Sequence, residues 1–148
     1  MESLRALDPW YVTGFTDGEG SFTFSRSSAQ MALYFSIKLV ATELPLLESI
    51  QRFFGVGTIY AVKARAPIAA GAGAAKSASL YRVTRHDELD RVTDHFNEYP
   101  LRGKKAESYK IWRAMVALKR DFRGRNKADL EELALALSAT QPRNQPWR

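Results

Sequence analysis

The chain has 148 residues, 45% of them hydrophobic and 26% charged, which is typical of a globular domain with room for a real core. It contains no cysteine, which excludes disulfides, thiolate nucleophiles and cysteine metal sites, and no apolar run long enough to span a bilayer. The net charge of +6 and the pI near 9.7 favour a polyanionic partner, although ribosomal and membrane-surface proteins share this basic balance.

The first element in the chain is a short helix that opens the segment at residues 9–22. Asp8 suits the N-cap and Pro9 the first helical position, and Gly20 suits the left-handed residue that ends a helix. These residues predict both ends of the helix from local backbone chemistry alone.

One face of this helix carries two glycines, which have no side chains. Trp10, Gly14 and Gly18 are spaced four residues apart, so they lie on the same face. Each glycine costs about 1 kcal/mol relative to alanine inside a helix, so some interaction must compensate. Close packing against a second copy of the helix would do so, and we predict a dimer interface at these three residues.

The last turn of the helix carries two acids, Asp17 and Glu19. Acidic groups there face the negative end of the helix macrodipole, which disfavours them unless a divalent cation is bound. Because the two residues are two positions apart, a helix points them in opposite directions, so they do not form one chelating pair. The alternative is a solvated acidic helix end.

The remaining elements alternate between strand and helix patterns. Period-two alternation predicts strands at residues 21–26, 33–39, 58–65 and 79–85. Helical periodicity predicts a helix capped by Thr42 and ended by Gly55, helices at 87–96 and 104–118, and a last helix capped by Asn126. Residues 66–76 are a loop of small residues that we expect to be mobile, and 141–148 a frayed polar tail.

An antiparallel sheet with one polar face would leave that face free for a partner. Its predicted side chains are cations, hydroxyls and aromatic rings, which suit contact with base edges and phosphates. The candidates for DNA binding are Ser21, Thr23, Ser25, Arg26, Tyr34, Ser36, Lys38, Tyr60, Lys63, Arg65 and Arg82. The alternative is an ordinary solvated sheet face.

With these elements in place, the chain resembles the LAGLIDADG homing endonucleases. The resemblance rests on three strings, VTGFTDGEGSF at 12–22, LESIQRFFGVG at 47–57 and YPLRGKKA at 99–106. It implies an α+β, αββαββα fold with a saddle-shaped antiparallel sheet in the DNA major groove, here followed by extra C-terminal helices. We predict one domain over 1–148, with a core at about 8–118, a helical extension at 119–140 and the tail at 141–148.

The resemblance also implies roles for particular residues. Glu19 becomes the metal-binding carboxylate together with Gly18, and Asp17 matches the first acid of the motif, with a more structural role. Lys104 and Lys105 fall where the family carries a catalytic-pocket lysine, and both stay candidates beside Arg102. A glutamine that the family often carries after the second strand is replaced here by Ala41.

In the family that this chain resembles, two motif helices pair to form one site. This chain has one such motif, at residues 12–22, which implies that two chains form one site. A homodimer would bring two Glu19 carboxylates together, and like charges so close need cations beside them. We therefore predict Mg²⁺, with Mn²⁺ or Ca²⁺ as alternative occupants, bridging carboxylates and phosphates. The partners are double-stranded DNA and a second copy of the chain, with no membrane. The predicted reaction is metal-dependent hydrolysis of one strand per subunit at a long, roughly palindromic site.

Two further residue sets carry weaker signals. His86 and His95 lack a metal-ligand pattern and are expected at the surface or in helix packing. A late basic cluster either grips flanking phosphates or is a solvated linker, and it comprises Lys119, Arg120, Arg123, Arg125 and Lys127.

Two competing functions and one open question follow from the sequence. Ala41 favours a cleavage-deficient protein of the same type, an RNA splicing maturase or a DNA regulator. A basic ribosome-associated protein is the third hypothesis, and it predicts no homodimer. No signal-peptide pattern is present, so we expect a soluble, intracellular protein in a bacterial or archaeal cytoplasm or in an organelle. The host intron or intein and the target sequence are not specified by the residues.

Overall fold

The structure is a computed structural model that describes residues 6–27, 30–64, 76–121 and 126–141. The helices are α1 Pro9–Glu19, α2 Leu44–Phe54, α3 His86–Glu98, α4 Lys105–Arg120 and α5 Lys127–Thr140. The strands are β1 Gly20–Ser27, β2 Gln30–Val40, β3 Thr58–Val62 and β4 Ala78–Val83. The predicted αββαββα order, followed by further helices, is confirmed.

The four strands form one antiparallel sheet in the order β1-β2-β4-β3. Residues directly opposite each other on neighbouring strands point to the same face. Ser21 pairs with Ser36, Ser36 with Arg82, and Arg82 with Thr58, so these four residues form one row across the outer face of the sheet.

The inner face of the sheet carries the core. Phe22 is 1% exposed, and its ring lies within 5.5 Å, centroid to centroid, of Phe35, Phe96, Tyr109 and Trp112. Complete burial of each such side chain contributes about 2 kcal/mol. This cluster joins β1, β2, α3 and α4, and it fixes the strand that begins directly after α1.

The last helix belongs to the same core. Leu130, Ala134 and Leu137 of α5 are buried in the hydrophobic cluster. The Ser108 hydroxyl of α4 is hydrogen-bonded to the Thr140 hydroxyl at 2.9 Å. The end of α5 therefore lies close to the junction between α1 and β1.

The structure corrects the prediction for Gly20. Its φ is −85° and its ψ 166°, so the residue is extended and begins β1 directly. A Cβ at this position would lie 2.5 Å from Cγ2 of Thr16, which is buried. Gly20 is therefore required for close approach. Gly55 ends α2, as predicted, and its φ of 73° is left-handed.

One predicted helix cap is wrong, and another is only partly confirmed. Thr42 lies in a 3-10 turn, Ala41–Glu43, and α2 begins after it without a side-chain cap. Asn126 does occupy the N-cap position of α5, but its side chain makes no cap hydrogen bond, and its amide donates to the carbonyl of Asp121 at 3.1 Å.

Strand β3 is shorter than predicted, since it ends at Val62 and not at residue 65. The predicted mobile loop lies outside the described residues except for Lys76. The predicted frayed tail lies outside them except for Gln141, whose side-chain amide donates to the carbonyl of Phe22 at 2.7 Å. Within the described ranges, no helix has the length and apolar character needed to cross a membrane.

Candidate functional site

The grooved face of α1 is open within this subunit. The Asp8 carboxylate accepts a hydrogen bond from the backbone N–H of Trp10 at 2.7 Å, so the predicted N-cap is confirmed. The Trp10 side chain is 52% exposed, and a Cβ added at Gly14 or Gly18 would meet nothing within 4 Å. No contact inside the described part of the subunit explains the two glycines.

The two acids at the end of α1 have separate environments. The Asp17 carboxylate accepts hydrogen bonds from the backbone N–H groups of Arg102 at 3.0 Å and Gly103 at 3.1 Å. It therefore joins α1 to the turn before α4. The Glu19 side chain is exposed and makes no hydrogen bond or ion pair with any described residue. The Asp17 carboxylate thus already accepts two hydrogen bonds, whereas the Glu19 carboxylate accepts none from the described residues.

Lys105 neutralises the end of α1. Its Nζ donates to the carbonyl oxygen of Asp17 at 3.1 Å and to that of Gly18 at 3.2 Å. A cation at a helix C-terminus is favourable because it faces the negative end of the macrodipole. α1 has no basic residue in its own last turn, so this charge comes from a residue distant in the chain.

A cavity of about 640 Å³ opens beside Glu19. Lys104 lines it, is exposed, and makes no side-chain hydrogen bond with any residue in the described ranges. The full lining is Asp17, Gly18, Glu19, Gly20, Ser21, Phe22, Thr23, Lys104, Lys105, Ser108, Thr140 and Gln141.

The residues at this cavity fit a hard divalent cation. A free carboxylate and a carbonyl, from Glu19 and Gly18, are oxygen donors of the kind that Mg²⁺ and Ca²⁺ prefer. No group of three or more His, Cys, Asp or Glu side chains in the described ranges could hold a metal ion. If a cation bound beside Glu19, the described residues of one subunit would supply only part of its coordination shell, and further oxygen ligands would have to come from outside it.

His95 ties α1 to α3 as a packing residue, as predicted. It is 8% exposed, and its Nε2 lies 3.0 Å from the hydroxyl of Thr13, which donates to the carbonyl of Tyr99 at 2.8 Å. Burial lowers the pKa of His95 to about 4. The ring is therefore neutral at pH 7 and donates through Nε2 to the Thr13 hydroxyl.

Most of the predicted DNA-binding side chains share the outer face of the sheet. By strand register these are Ser21, Thr23, Ser25, Tyr34, Ser36, Lys38, Tyr60 and Arg82. On this face the strands carry two cations, Lys38 and Arg82, and no acid. The Ser25 hydroxyl donates to the Tyr34 hydroxyl at 2.9 Å, so part of this face is held in place by its own hydrogen bonds.

Two of the candidate side chains differ from the prediction, and a third is not among the described residues. Arg26 lies on the inner side of β1, where its guanidinium is paired with Glu131 of α5 and lies 5.5 Å from the centroid of the Phe24 ring. Arg26 is two residues after Phe24 and four after Phe22, so strand alternation already indicated that it lies on the inner side of β1. Lys63 lies just beyond the end of β3, and Arg65 is outside the described residues.

The late basic cluster is partly occupied by internal contacts. Lys119 donates to the carbonyl of Met31, and Arg120 is paired with Asp90 of α3. Lys127 is exposed, and Arg123 and Arg125 lie outside the described residues. Lys119 and Arg120 lie at the end of α4, so they are not part of a linker. Because both make contacts within the subunit, they are not free to bind phosphates.

Sequence reasoning missed the contribution of α4 and of the end of α5 to the cavity. Ser108 of α4, with Thr140 and Gln141 at the end of α5, lines the cavity beside the residues of the glycine-acid motif. Gln141 is 119 residues from its partner Phe22, so no local pattern could have indicated the contact.

Comparison with known proteins identifies relatives of this fold. A family model described as "LAGLIDADG endonuclease" matches residues 12–116. An uncharacterized 50.9 kDa protein in ND4 intron 1 of Podospora anserina is 30% identical, over 78% of this chain and 25% of its own length. The probable intron-encoded endonuclease 3 of Neurospora crassa is 30% identical, over 72% of this chain and 19% of its own length. The chain thus spans a quarter or less of these relatives.

Solved structures with the same fold include two DNA complexes. The LAGLIDADG meganuclease I-AabMI bound to uncleaved DNA has a TM-score of 0.73 and 30% identity, covering 92% of this chain and 45% of that one. I-SmaMI, bound to an uncleaved DNA target in the presence of calcium ions, has a TM-score of 0.73 and 25% identity, covering 93% and 47%. The homing endonuclease I-TnaI has a TM-score of 0.70 and 23% identity, covering 92% and 97%, and supports the fold alone. The predicted fold is confirmed.

Proposed function

We propose that this chain, which belongs to the LAGLIDADG endonuclease family, forms one half of a site-specific endonuclease that cuts double-stranded DNA. The observation that carries the proposal is the end of α1, where Glu19 is free beside an open helix face. Asp17, two residues earlier, accepts one backbone N–H hydrogen bond at each of its carboxylate oxygens. An exposed acid with no structural partner, beside a cationic sheet, is the arrangement expected of a metal-binding carboxylate.

The outer face of the sheet is the proposed DNA surface. Its strands bear cations and hydroxyls without any acid, so nothing on them repels a phosphate backbone. A two-stranded ribbon or sheet fits the major groove, where each base pair presents a distinct set of donors and acceptors. Similar endonucleases bind DNA with the same fold, which supports this assignment.

A second motif helix is needed to complete the site, and we propose that a second copy of the chain supplies it. Gly14 and Gly18 leave a groove beside the exposed Trp10 that no described residue of this subunit fills. Self-packing of this face would bury the groove and place two Glu19 side chains near a twofold axis. A symmetric dimer would read a roughly palindromic site.

Glu19 and the carbonyl of Gly18 are the proposed protein ligands of a divalent cation, of which Mg²⁺ is the proposed native one. The Gly18 oxygen also accepts a hydrogen bond from Lys105, so the cation would use the second lone pair of that oxygen. Bound there, the ion would stabilise charge on the phosphate oxygens and lower the pKa of an attacking water. Phosphate oxygens of the DNA and the second copy of Glu19 would supply the ligands that one subunit lacks.

The two adjacent lysines have different proposed roles. Lys105 donates to two α1 carbonyls, so its charge acts on the C-terminal end of that helix. Lys104 lines the same cavity without a partner among the described residues. We assign Lys104 to stabilising the negative charge that develops on the reacting phosphate.

The test begins with the target, because the cognate site is unknown. Duplexes bound by the protein are recovered from a random DNA library, and their consensus is cloned into a supercoiled plasmid. Cleavage is then followed in MgCl₂ and in EDTA. The proposal predicts scission of both strands within the consensus only when the divalent cation is present.

Matched variants identify the residues that carry the reaction. Glu19→Gln should slow cleavage at least about 100-fold and leave DNA affinity largely intact. Glu132→Gln, an exposed acid on α5, is the control and should cut at the wild-type rate. Lys104→Ala should slow cleavage without changing stability. Full activity of Glu19→Gln would refute the assignment of the metal ligand.

A second candidate function is specific binding without cleavage. Ala41 is exposed in the turn after β2 and offers no polar side chain where the family often carries glutamine. Tight binding to the consensus in EDTA, with no scission in MgCl₂ or MnCl₂, would favour this function and eliminate the nuclease.

A further inference from the structure

Arg82 is the cation of the outer face with the most restricted position. Its guanidinium carbon lies 4.5 Å from the centroid of the Tyr34 ring and 6.0 Å from that of Tyr60. The Nε atom is buried, and neither it nor the rest of the side chain has a hydrogen-bond or ion-pair partner in the described ranges. Two rings therefore limit the orientation of the guanidinium, while its hydrogen-bonding capacity is unused.

The position of Arg82 favours contact with bases over contact with phosphates. It lies on β4, which is an inner strand of the sheet, flanked by β2 and β3. When a sheet enters a groove, its inner strands face the base edges and its outer strands approach the sugar-phosphate backbones. Because Nε is enclosed, Arg82 must bind through its two terminal nitrogens, which form a planar fork.

We infer that Arg82 recognises a guanine in each half-site of the DNA, through its Nη atoms and the O6 and N7 acceptors of the base. This inference rests on the proposed function, in which the outer face contacts the major groove. The fork matches this acceptor pair, which in the major groove only guanine presents in that arrangement. Arg82 shares a row with Ser21, two residues after Glu19, so the guanine lies in the inner part of each half-site.

Tyr34 acts on this contact as a positioning residue. Its ring covers one side of the guanidinium, and its hydroxyl accepts a hydrogen bond from Ser25. A restricted guanidinium loses less conformational entropy on binding, so its contact discriminates more strongly between bases. The ring, more than the hydroxyl, should determine this effect.

The experiment compares base preference among variants of the whole chain. Consensus duplexes are selected from a random library with the wild type, and the guanine-cytosine pair assigned to Arg82 is replaced by adenine-thymine in one half-site. We expect the replacement to weaken wild-type binding by about 5- to 150-fold. Arg82→Gln should prefer adenine at this position, because glutamine pairs with the N6 and N7 edge. Arg91→Gln, an exposed arginine on α3, should keep the wild-type preference.

The tyrosine variants separate positioning from simple packing. Tyr34→Phe should retain the guanine preference, whereas Tyr34→Leu should reduce it with the salt dependence of binding unchanged. An unchanged guanine preference in Arg82→Gln would overturn the inference while leaving specific DNA binding intact. Uniform weakening on all sequences would show that Arg82 contacts a phosphate, which also overturns it. Recovery of no consensus with the wild type would instead refute the proposed function, and the inference with it.

Discussion

Replacing Gly14 by alanine should strengthen the fold of one subunit and weaken its association with a second. Gly14 lies in the middle of α1, and the added Cβ would meet nothing within 4 Å in the described part of the subunit. The only intramolecular effect is then the difference in helix propensity. Self-association, in contrast, would require the facing helix to occupy the space that the methyl group fills.

The two effects have opposite signs and comparable sizes. Alanine is favoured over glycine in a helix interior by about 1 kcal/mol, so the unassociated subunit should gain roughly 0.5 to 1 kcal/mol. For a chain of this size that corresponds to a rise in Tm of about 1 to 4 °C. Overpacking costs about 1 to 3 kcal/mol at each affected position, so the dimer Kd should rise at least about tenfold.

The assay is urea denaturation at several protein concentrations, together with sedimentation velocity. The wild-type midpoint should rise with concentration, because association stabilises the folded state by mass action. The Gly14→Ala midpoint should depend much less on concentration and should exceed the wild-type value at the lowest concentration.

Gly20→Ala is the matched control. Its Cβ would lie 2.5 Å from Cγ2 of Thr16, so it should destabilise the subunit by about 1 to 3 kcal/mol at every concentration. A Gly14→Ala protein that dimerises with the wild-type Kd, or that is less stable as a monomer, would contradict the packing argument. A wild type that remains monomeric even on DNA would do the same.

Three further predictions concern the supports of the site. Lowering the pH from about 6.5 to about 4 should destabilise the fold through His95. Burial holds the pKa of His95 near 4, so in this pH range the unfolded chain binds more protons than the folded one. The loss amounts to up to about 3 kcal/mol, and His95→Gln should remove this part of the pH slope in urea titrations. Asp17→Asn should lower the free energy of unfolding by about 2 kcal/mol, measured by the same titrations, because the backbone amides of Arg102 and Gly103 lose a charged acceptor. Lys105→Met should lower the free energy of unfolding by about 1 kcal/mol, measured by thermal denaturation. Added salt should weaken this stabilisation by Lys105 in the wild type. An unchanged Tm in the variant would show that the α1 carbonyls do not need this charge.

Local signals in the sequence were sufficient for most of the elements. The Asp8 cap, the alternation along β1 and β2, and the left-handed Gly55 depend on residues a few positions apart. The same alternation could have placed Arg26 correctly, because it shares its side of β1 with Phe22 and Phe24. The position of Arg26 is therefore a local property of the sequence, because residues two apart on a strand share a face.

The roles of the residues at the candidate site depend on contacts between distant parts of the chain. The sequence alone determined that two acids lie in the last turn of the first helix and that Gly14 and Gly18 share one of its faces, because helical periodicity and backbone geometry are short-range properties. Only the tertiary structure decided that Asp17 is engaged by amides 85 and 86 residues away and that Lys105 covers the helix end from 87 and 88 residues away. These contacts separate a structural acid from a free one and an engaged lysine from a free one. Asp17 and Glu19 have the same chemistry, as do Lys104 and Lys105. Only the tertiary structure distinguishes the members of each pair, because it determines which side chain contacts a distant part of the chain.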